Sequence, residues 1–373
     1  MKTAKKPTIG VAAIVKNEAY IVGDALLKCR QFFDEFFVLD TGSDDGTQDI
    51  LKKHGVNWEQ GSWADDFAKS RNQAIAHIKS DWVLMMDADE ICTEQDAKEL
   101  YKFLQNADKD AYWIRQCNSA RGTFSRQASG AVPRLLRNGS GIKYARPLTE
   151  SFVNSAGEML KSVVAPFGVS HWGCLSELDK NPQLKALKIE RNKRIMSHWL
   201  KENPADAVGW TMLAHTSLKE HDYESAYRSY DRGLQCSKNR REQLSLLEHI
   251  CMCLEQLKYT DELFGACQML QAIEAGNAVA HYYLCILAAA QGLKDPAIEG
   301  LRLLLKVPVP DRTPYGTLHH IFTRNRYLVL GKLLEEAGCT DEASAVYNQG
   351  AQSFGDAFKR ELAHHRTEGV PVR

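Results

Sequence analysis

The stretch Asp81-Trp82-Val83-Leu84-Met85-Met86-Asp87-Ala88-Asp89-Glu90 decides the fold of the first half of the chain. Trp82 to Met86 form an apolar run of the length expected for a strand buried on both faces. The run stops at the carboxylates Asp87, Asp89 and Glu90. In an open α/β sheet, ligands sit beyond the carboxyl ends of the strands. If the chain stays extended here, Asp87 and Asp89 leave it on the same side. Such a pair suits a hard divalent cation, which takes oxygen ligands and keeps positions open for substrate phosphates. The same residues would also serve as a solvated acidic turn ahead of a helix N-capped by Thr93.

Outward from this stretch, strands and helices alternate. Thr8 to Val15 reads as a buried strand, with Lys16-Asn17-Glu18 at its end. Helical spacing follows over Ile21 to Phe33, then a strand from Glu35 to Leu39. The turn Asp40-Thr41-Gly42-Ser43-Asp44-Asp45-Gly46-Thr47 is crowded with Gly and Asp, as a sharp bend with exposed backbone donors requires. A short helix to about His54, a strand from Val56 to Glu59 and a helix from Asp65 to Lys79 complete the approach to Asp87. This order indicates a mostly parallel sheet with right-handed crossovers. Glu18, Asp40 and the Asp87/Asp89 pair then converge on one sheet edge. Carboxylates gathered there need a cation or ligand donors to offset them. Arg71, on the helix before the decisive strand, offers a bidentate fork for phosphate.

Four blocks carry a family resemblance. Ile14-Val15-Lys16-Asn17-Glu18, Val38-Leu39-Asp40-Thr41-Gly42-Ser43-Asp44-Asp45-Gly46-Thr47, Trp63 with Asp66-Phe67-Ala68-Lys69-Ser70-Arg71-Asn72, and Asp87-Ala88-Asp89-Glu90 resemble the blocks of family 2 glycosyltransferases of the GT-A fold, over about residues 7–175. The resemblance implies an inverting enzyme using a nucleotide-sugar donor, UDP-linked, with Mn²⁺ or Mg²⁺. It implies that Asp40 pairs with the nucleobase, Arg71 supports the phosphates, Asp89 binds the metal, and Asp87 faces ribose and metal. Glu18, Asp44 and Asn72, within the same blocks, join this donor-site set. Further on, strands are expected over Ala111–Cys117 and Ala131–Arg137, the second bearing Arg134 and Arg137. Tyr144 to Phe152 resembles the segment where relatives akin to lipopolysaccharide-core transferases carry Val-His-Glu. Thr149 replaces that His, so any role of the His is not carried over, while Glu150 remains as the candidate general base. A surface or salt-bridged carboxylate is the other reading of Glu150. Val169-Ser170-His171-Trp172-Gly173 resembles the family's closing His-aromatic-Gly, which makes His171 a candidate third metal ligand with Asp87 and Asp89.

The second half changes character. Pro182 to Leu200 reads as a charged helix with Lys185, Lys188, Arg191, Lys193 and Arg194, either a solvated face or a site for a phosphate-rich acceptor. Beyond Asn203 the spacing of Trp210, Leu213, Ala214, Ala226, Tyr230 and Gly233 resembles the tetratricopeptide pattern. The frame recurs on Leu244, Leu247, Glu262 and Ala266, on His281, Leu284, Cys285, Ala297 and Leu301, and on Tyr327, Leu330, Gly331, Ala343 and Tyr347. Val307 to Arg312 reads as an insertion loop. Stacked repeats bury what a single repeat leaves exposed, so a solenoid is expected.

Composition sets the outer limits. Lys+Arg and Asp+Glu both total 47, so overall charge favours neither nucleic acid nor a membrane surface. No apolar run approaches membrane-spanning length, and the scattered cysteines, 10 in all and without Cys-x-x-Cys, point away from zinc or redox motifs. The expectation is a cytoplasmic protein with reduced cysteines. It has an α/β GT-A domain (Rossmann-like mixed sheet) over residues 1–175, a connecting helix over 176–202, and an all-α tetratricopeptide-like solenoid over 203–373. The solenoid would hold the acceptor (glycan, peptide or modified nucleobase), a protein partner or a second subunit. An inactive transferase domain on a repeat scaffold and a DNA nucleobase glycosyltransferase are the rival readings.

Overall fold

Residues Ile9–Val15 (β1), Glu35–Asp40 (β2), Asn57–Gln60 (β3) and Trp82–Met86 (β4) form the parallel part of a sheet in the order β3-β2-β1-β4. In a computed structural model describing residues 6–119, 122, 130–172, 181–307 and 324–368, the chain divides after Trp199 into two units. The first unit's sheet continues as β7 (Gly130–Arg137), β6 (Ala111–Asn118), β10 (Val164–His171) and β5 (Glu90–Ile91), with antiparallel pairs β4/β7, β6/β7 and β5/β10. The sheet is therefore mixed. A hairpin of β8 (Lys143–Ala145) and β9 (Ser151–Val153) stands apart from it.

Burial on both faces explains the apolar run. Trp82, Leu84 and Met86 belong to one core layer, Val83 and Met85 to the other, as the alternation of strand side chains requires. Register then sets the site: Val15 lies opposite Asp40, and Ala13 opposite Met86, so the carboxyl ends of β1, β2 and β4 share one edge. Helix α1 is Thr47–Lys53, and α2 is Phe67–Ile75, N-capped by Asp66 accepting from the Lys69 amide. Helix α3, Glu94–Leu104, has the expected Thr93 N-cap in a full capping box with Asp96.

Two local expectations are corrected. The segment Ile21 to Phe33 is no regular α-helix but a series of turns leading into a 3₁₀ helix at Leu26–Phe32. Gly23 weakens helix propensity there, and the amides of Asp24, Ala25 and Leu27 reach back to different carbonyl spacings. Nor is Asp87 to Asp89 extended. The Glu90 amide donates to the Asp87 carbonyl at 3.1 Å and Glu90 Oε2 accepts from the Asp87 amide at 2.9 Å, closing a tight turn.

Helix α4, Pro182–Glu202, carries the chain to the second unit, which is entirely helical among its described residues. Its helices pair in sequence: α5 (Ala207–Leu218) with α6 (Tyr223–Cys236), α7 (Arg240–Leu257) with α8 (Thr260–Ile273), α9 (Ala278–Ala290) with α10 (Lys294–Leu305), α11 (Arg326–Glu336) with α12 (Thr340–Glu368). Ala214, Ala226, Tyr230, Ala297, Leu301, Leu330, Ala343 and Tyr347 are all buried in one core, as the repeat frame demands. Gly331 shows why small residues recur: a Cβ there would lie 2.3 Å from the Tyr347 ring. The frame fails at His281, which is exposed, and at Glu262, which is exposed while Leu263 and Ala266 fill the core. A charged side chain in the first turn of α8 does better in water. Residues 308–312 of the expected insertion loop, with Gly173 and Cys174, lie outside the described residues.

Within this unit His215 on α5, Tyr230 on α6 and His249 on α7 pack edge-on or tilted in a group, with ring centroids 5.1–5.6 Å apart. Burial, helped by His249, pushes the His215 imidazole down to about 3. The folded state thus holds it neutral, whereas the unfolded chain protonates near 6.5. Because the unfolded state then binds more protons, stability is complete above about pH 6.5 and falls progressively toward pH 3. Urea unfolding of the whole chain, followed by helical circular dichroism, is expected to show this acid-side loss. Replacement His215→Gln should flatten the slope, and an unchanged slope would reject the assignment.

Candidate active site

Asp40, at the end of β2, is fully buried. Its Oδ1 accepts from the amides of Gly42 and Ser43 at 2.7 and 2.8 Å. Its Oδ2 is buried with no hydrogen-bond partner among the described residues. The surrounding loops are laced together. The Asn17 amide donates to Ser43 Oγ, Asn17 Oδ1 accepts from the Asp44 amide, and the Glu18 amide donates to Thr47 Oγ1, each at 2.8–2.9 Å. Gly42, at φ 103°, takes the left-handed turn for which glycine is suited. Asp44, expected in the donor site, is exposed on this loop. The loop amides thus fix Asp40 through Oδ1 alone.

A second cluster surrounds Asp87. Arg71, only 5% exposed on α2, donates from Nη2 to Asp87 Oδ1 and from Nε to Glu150 Oε1, both at 2.9 Å. Arg134 of β7 donates to Asp87 Oδ2 and, at 3.3 Å, to Glu90 Oε1. Burial works to raise the Asp87 carboxyl, but Arg134 and Arg71 overcome it and hold it well below the ordinary carboxylate range. Glu90, with no exposure at all, also accepts from Gln116 Nε2 at 2.8 Å. Glu150 ends a loop in which Arg146 and Thr149 have φ of 73° and 52°. Such strain in non-glycine residues needs surrounding structure to hold it. Here the Phe67 amide donates to the Pro147 carbonyl at 2.9 Å, and Asn72 bonds both ways to the Tyr144 backbone at 2.9 Å. Asn72, expected to contact the nucleotide, therefore spends its amide on this hairpin.

Asp89 lies on the other side of the turn. Its Oδ2 is 3.3 Å from His171 Nε2, while His171 Nδ1 is 3.0 Å from Asn118 Oδ1. The Trp172 amide donates to the Asp89 carbonyl at 3.0 Å, so β10 and the turn are tied by backbone as well. Glu18 is pushed up to about 7, chiefly by burial and next by Asp89. An imidazole and a carboxylate with a second carboxylate nearby form a donor set that fits Mn²⁺ or Mg²⁺, with substrate phosphates and water completing the shell. Among the described residues no group of three or more His, Cys, Asp or Glu is arranged to hold a metal. The third expected ligand, Asp87, faces the two guanidinium groups instead.

In the basic row of α4, Lys185 and Lys188 are exposed while two arginines are engaged with the first unit's own residues. Arg194 makes two 2.8 Å bonds to Asp65, and the Arg191 guanidinium lies 5.1 Å from the Phe67 ring centroid. Asp65 also accepts from Trp63 Nε1 at 2.8 Å. These contacts hold the loop that opens α2, the helix of Arg71. The sequence names Glu90 and Arg134 without giving either a role in the site, and gives no pointer to Gln116 or Asn118; an arginine flanked by apolar residues in a strand is the readable signal.

The model of the family described as glycosyl transferase family 2 matches residues 11–159. A TPR repeat-containing protein of Synechococcus elongatus is 29% identical over 233 residues, 61% of this chain and 56% of that protein. The SPbeta prophage-derived glycosyltransferase SunS of Bacillus subtilis is 33% identical over 98 residues, 26% of this chain and 23% of SunS. The chain thus spans about half the length of the first relative and about a quarter of the second. Among solved structures, S. aureus TarS 1–349 in complex with UDP is similar at a TM-score of 0.39 and 14% identity, covering 72% of this chain and 92% of that one. MamA is similar at 0.35 and 16% identity, covering 46% and 91%. Among the described residues no helix is long and apolar enough to cross a membrane. Residues 11–159 thus carry a glycosyl transferase family 2 domain, and helix pairs with tetratricopeptide-like spacing follow it in the same chain.

Proposed function

We propose that this protein is an inverting glycosyltransferase that moves a sugar from a UDP-linked donor to an acceptor recruited by the repeat unit. The observation that carries the reading is the buried, unpartnered Asp40 Oδ2 on the same sheet edge as the Asp89–His171 pair. A carboxylate oxygen in that position accepts a hydrogen bond from an imide N–H, which uracil has and cytosine lacks. A divalent ion held by Asp89 and His171 would supply Lewis-acid neutralisation of the departing diphosphate. Glu150 uses Oε1 on Arg71, which leaves Oε2 to take the proton as acceptor oxygen, nitrogen or sulfur attacks the anomeric carbon. The bond to the diphosphate breaks on the opposite face, and its electron pair leaves with the nucleotide. Arg71 orients Glu150 and Asp87 together, so the base and the metal-side turn keep a fixed separation. In this reading the repeat unit binds the acceptor (glycan, peptide or modified nucleobase) because stacked helical pairs offer an extended surface.

A thermal-shift series with UDP, CDP and GDP, each with and without Mn²⁺, tests the donor half. A ligand at 100 times its dissociation constant adds about 2.7 kcal/mol to the native state. UDP with Mn²⁺ is expected to raise the melting temperature by several degrees, with CDP giving little. Equal shifts for UDP and CDP, or none for any nucleotide, would overturn the reading.

A further inference from the structure

The turn between Asp87 and Asp89 sends the two side chains to different partners, and their charge environments differ. Around Asp87 stand two guanidinium groups, Arg71 and Arg134, against Asp87, Glu90 and Glu150. Three carboxylates face two cations, and both Asp87 oxygens already accept a guanidinium hydrogen bond. Beside Asp89 stands His171, which must be neutral to ligate a metal, and nearby Glu18 adds a further carboxylate that Lys188 also faces. No guanidinium is bonded to the Asp89 carboxylate among the described contacts, whereas both oxygens of Asp87 are taken by one.

We propose that Arg134 is a positioning residue that keeps Asp87 out of the metal shell and so reserves the divalent ion for Asp89 and His171; the inference rests on the metal reading given above. Arg134 can do this because it is itself immobilised. It enters from β7, the antiparallel neighbour of β4, with its side chain 6% exposed. Glu90, which holds it, is fully buried and is fixed by three donors: Gln116 Nε2, Arg134 Nη2 and the Asp87 amide. A buried carboxylate with its donors in place is costly to move. Glu90 thus ties the backbone at Asp87, and Arg134 ties its side chain. Arg71 completes the clamp from α2 and passes it on to Glu150. With Asp87 aimed at the arginines, Asp89 is the carboxylate left for the cation.

The test is a titration of Mn²⁺ alone, followed by electron paramagnetic resonance, together with turnover, on the full chain. Arg134→Gln releases Asp87 Oδ2 and adds a charged oxygen within reach of the ion. The expected result is a pair of opposite changes: Mn²⁺ binds about threefold or more tightly as ligand charge increases, while turnover falls by about 10- to 100-fold. Adding Asp87→Asn to that variant should return Mn²⁺ affinity to the wild-type value. Arg134→Lys keeps the charge but reaches one carboxylate at a time. It is expected to show the same pair of changes at smaller size, and it decides the question if Arg134→Gln does not fold. A merely structural arginine would weaken Mn²⁺ binding and turnover together. That outcome, or unchanged Mn²⁺ affinity in a folded variant, overturns the proposal. If the wild-type protein binds no Mn²⁺, the metal reading itself falls, a failure this arm keeps separate.

Discussion

Asp89→Asn should lower sugar transfer by about 10³-fold while leaving the fold unchanged, an effect of the order seen when one preorganised electrostatic group is removed from an active site. Asn keeps the size of the side chain and the backbone carbonyl that accepts from Trp172. It removes the carboxylate charge that stands 3.3 Å from His171 Nε2. Because Asp89 is partly exposed, no buried partner is stranded by the change, so stability should hold. Circular dichroism and urea unfolding establish the fold, and product formation from a UDP-sugar establishes the rate. His171→Ala should act in the same direction with a smaller loss, since a neutral ligand is replaced by water. A folded Asp89→Asn protein that turns over at the wild-type rate would falsify the metal assignment.

Asp40→Asn is the second large effect, and here the loss is in binding. The buried Oδ1 can still accept from Gly42 and Ser43 when the amide oxygen takes that place. The amide nitrogen then occupies the position of Oδ2 and points a donor at the imide N–H of the base. Losing a charge-assisted hydrogen bond costs about 1.5–3 kcal/mol, and leaving two donors opposed adds to it. UDP affinity measured by calorimetry should fall by roughly ten- to a hundredfold or more. Mn²⁺ binding by the protein alone should stay as it was, because Asp40 ends a different strand from the metal pair. Unchanged UDP affinity would remove Asp40 from the nucleobase site.

Much of this arrangement was legible in the residues. The run Trp82–Met86 predicts a two-faced strand because five adjacent apolar residues have no solvent face to offer. Strand ends at Glu18 and Asp40 follow from the same alternation of apolar runs and turns. The repeat frame worked where small residues meet rings, as at Gly331 and Tyr347. What stayed hidden was whatever depends on long-range pairing. Arg134 reaches Asp87 across an antiparallel neighbour far away in sequence, and no local period reveals which strand lies beside which. Sequence leaves Asp87–Glu90 open between extended chain and acidic turn, because the turn's closure relies on a side-chain oxygen of Glu90. Asn72 illustrates a different limit. A motif shows that a residue matters without saying whether it touches ligand or holds a hairpin.

The chain of hydrogen bonds from Gln116 through Glu90, Arg134, Asp87 and Arg71 to Glu150 also bears on how such a sequence drifts. Breaking a buried ion pair by removing one member costs about 3–5 kcal/mol, a large part of the 5–15 kcal/mol that keeps a domain folded. Each of these residues therefore acts as a guard on the next, and a lineage that loses one must lose or replace its neighbour almost at once. The loops around Asp44 carry no such obligation, since that side chain stands in water. Variation among descendants of this protein is thus channelled to the rim of the site, where a new substrate preference can arise without first passing through an unfolded ancestor.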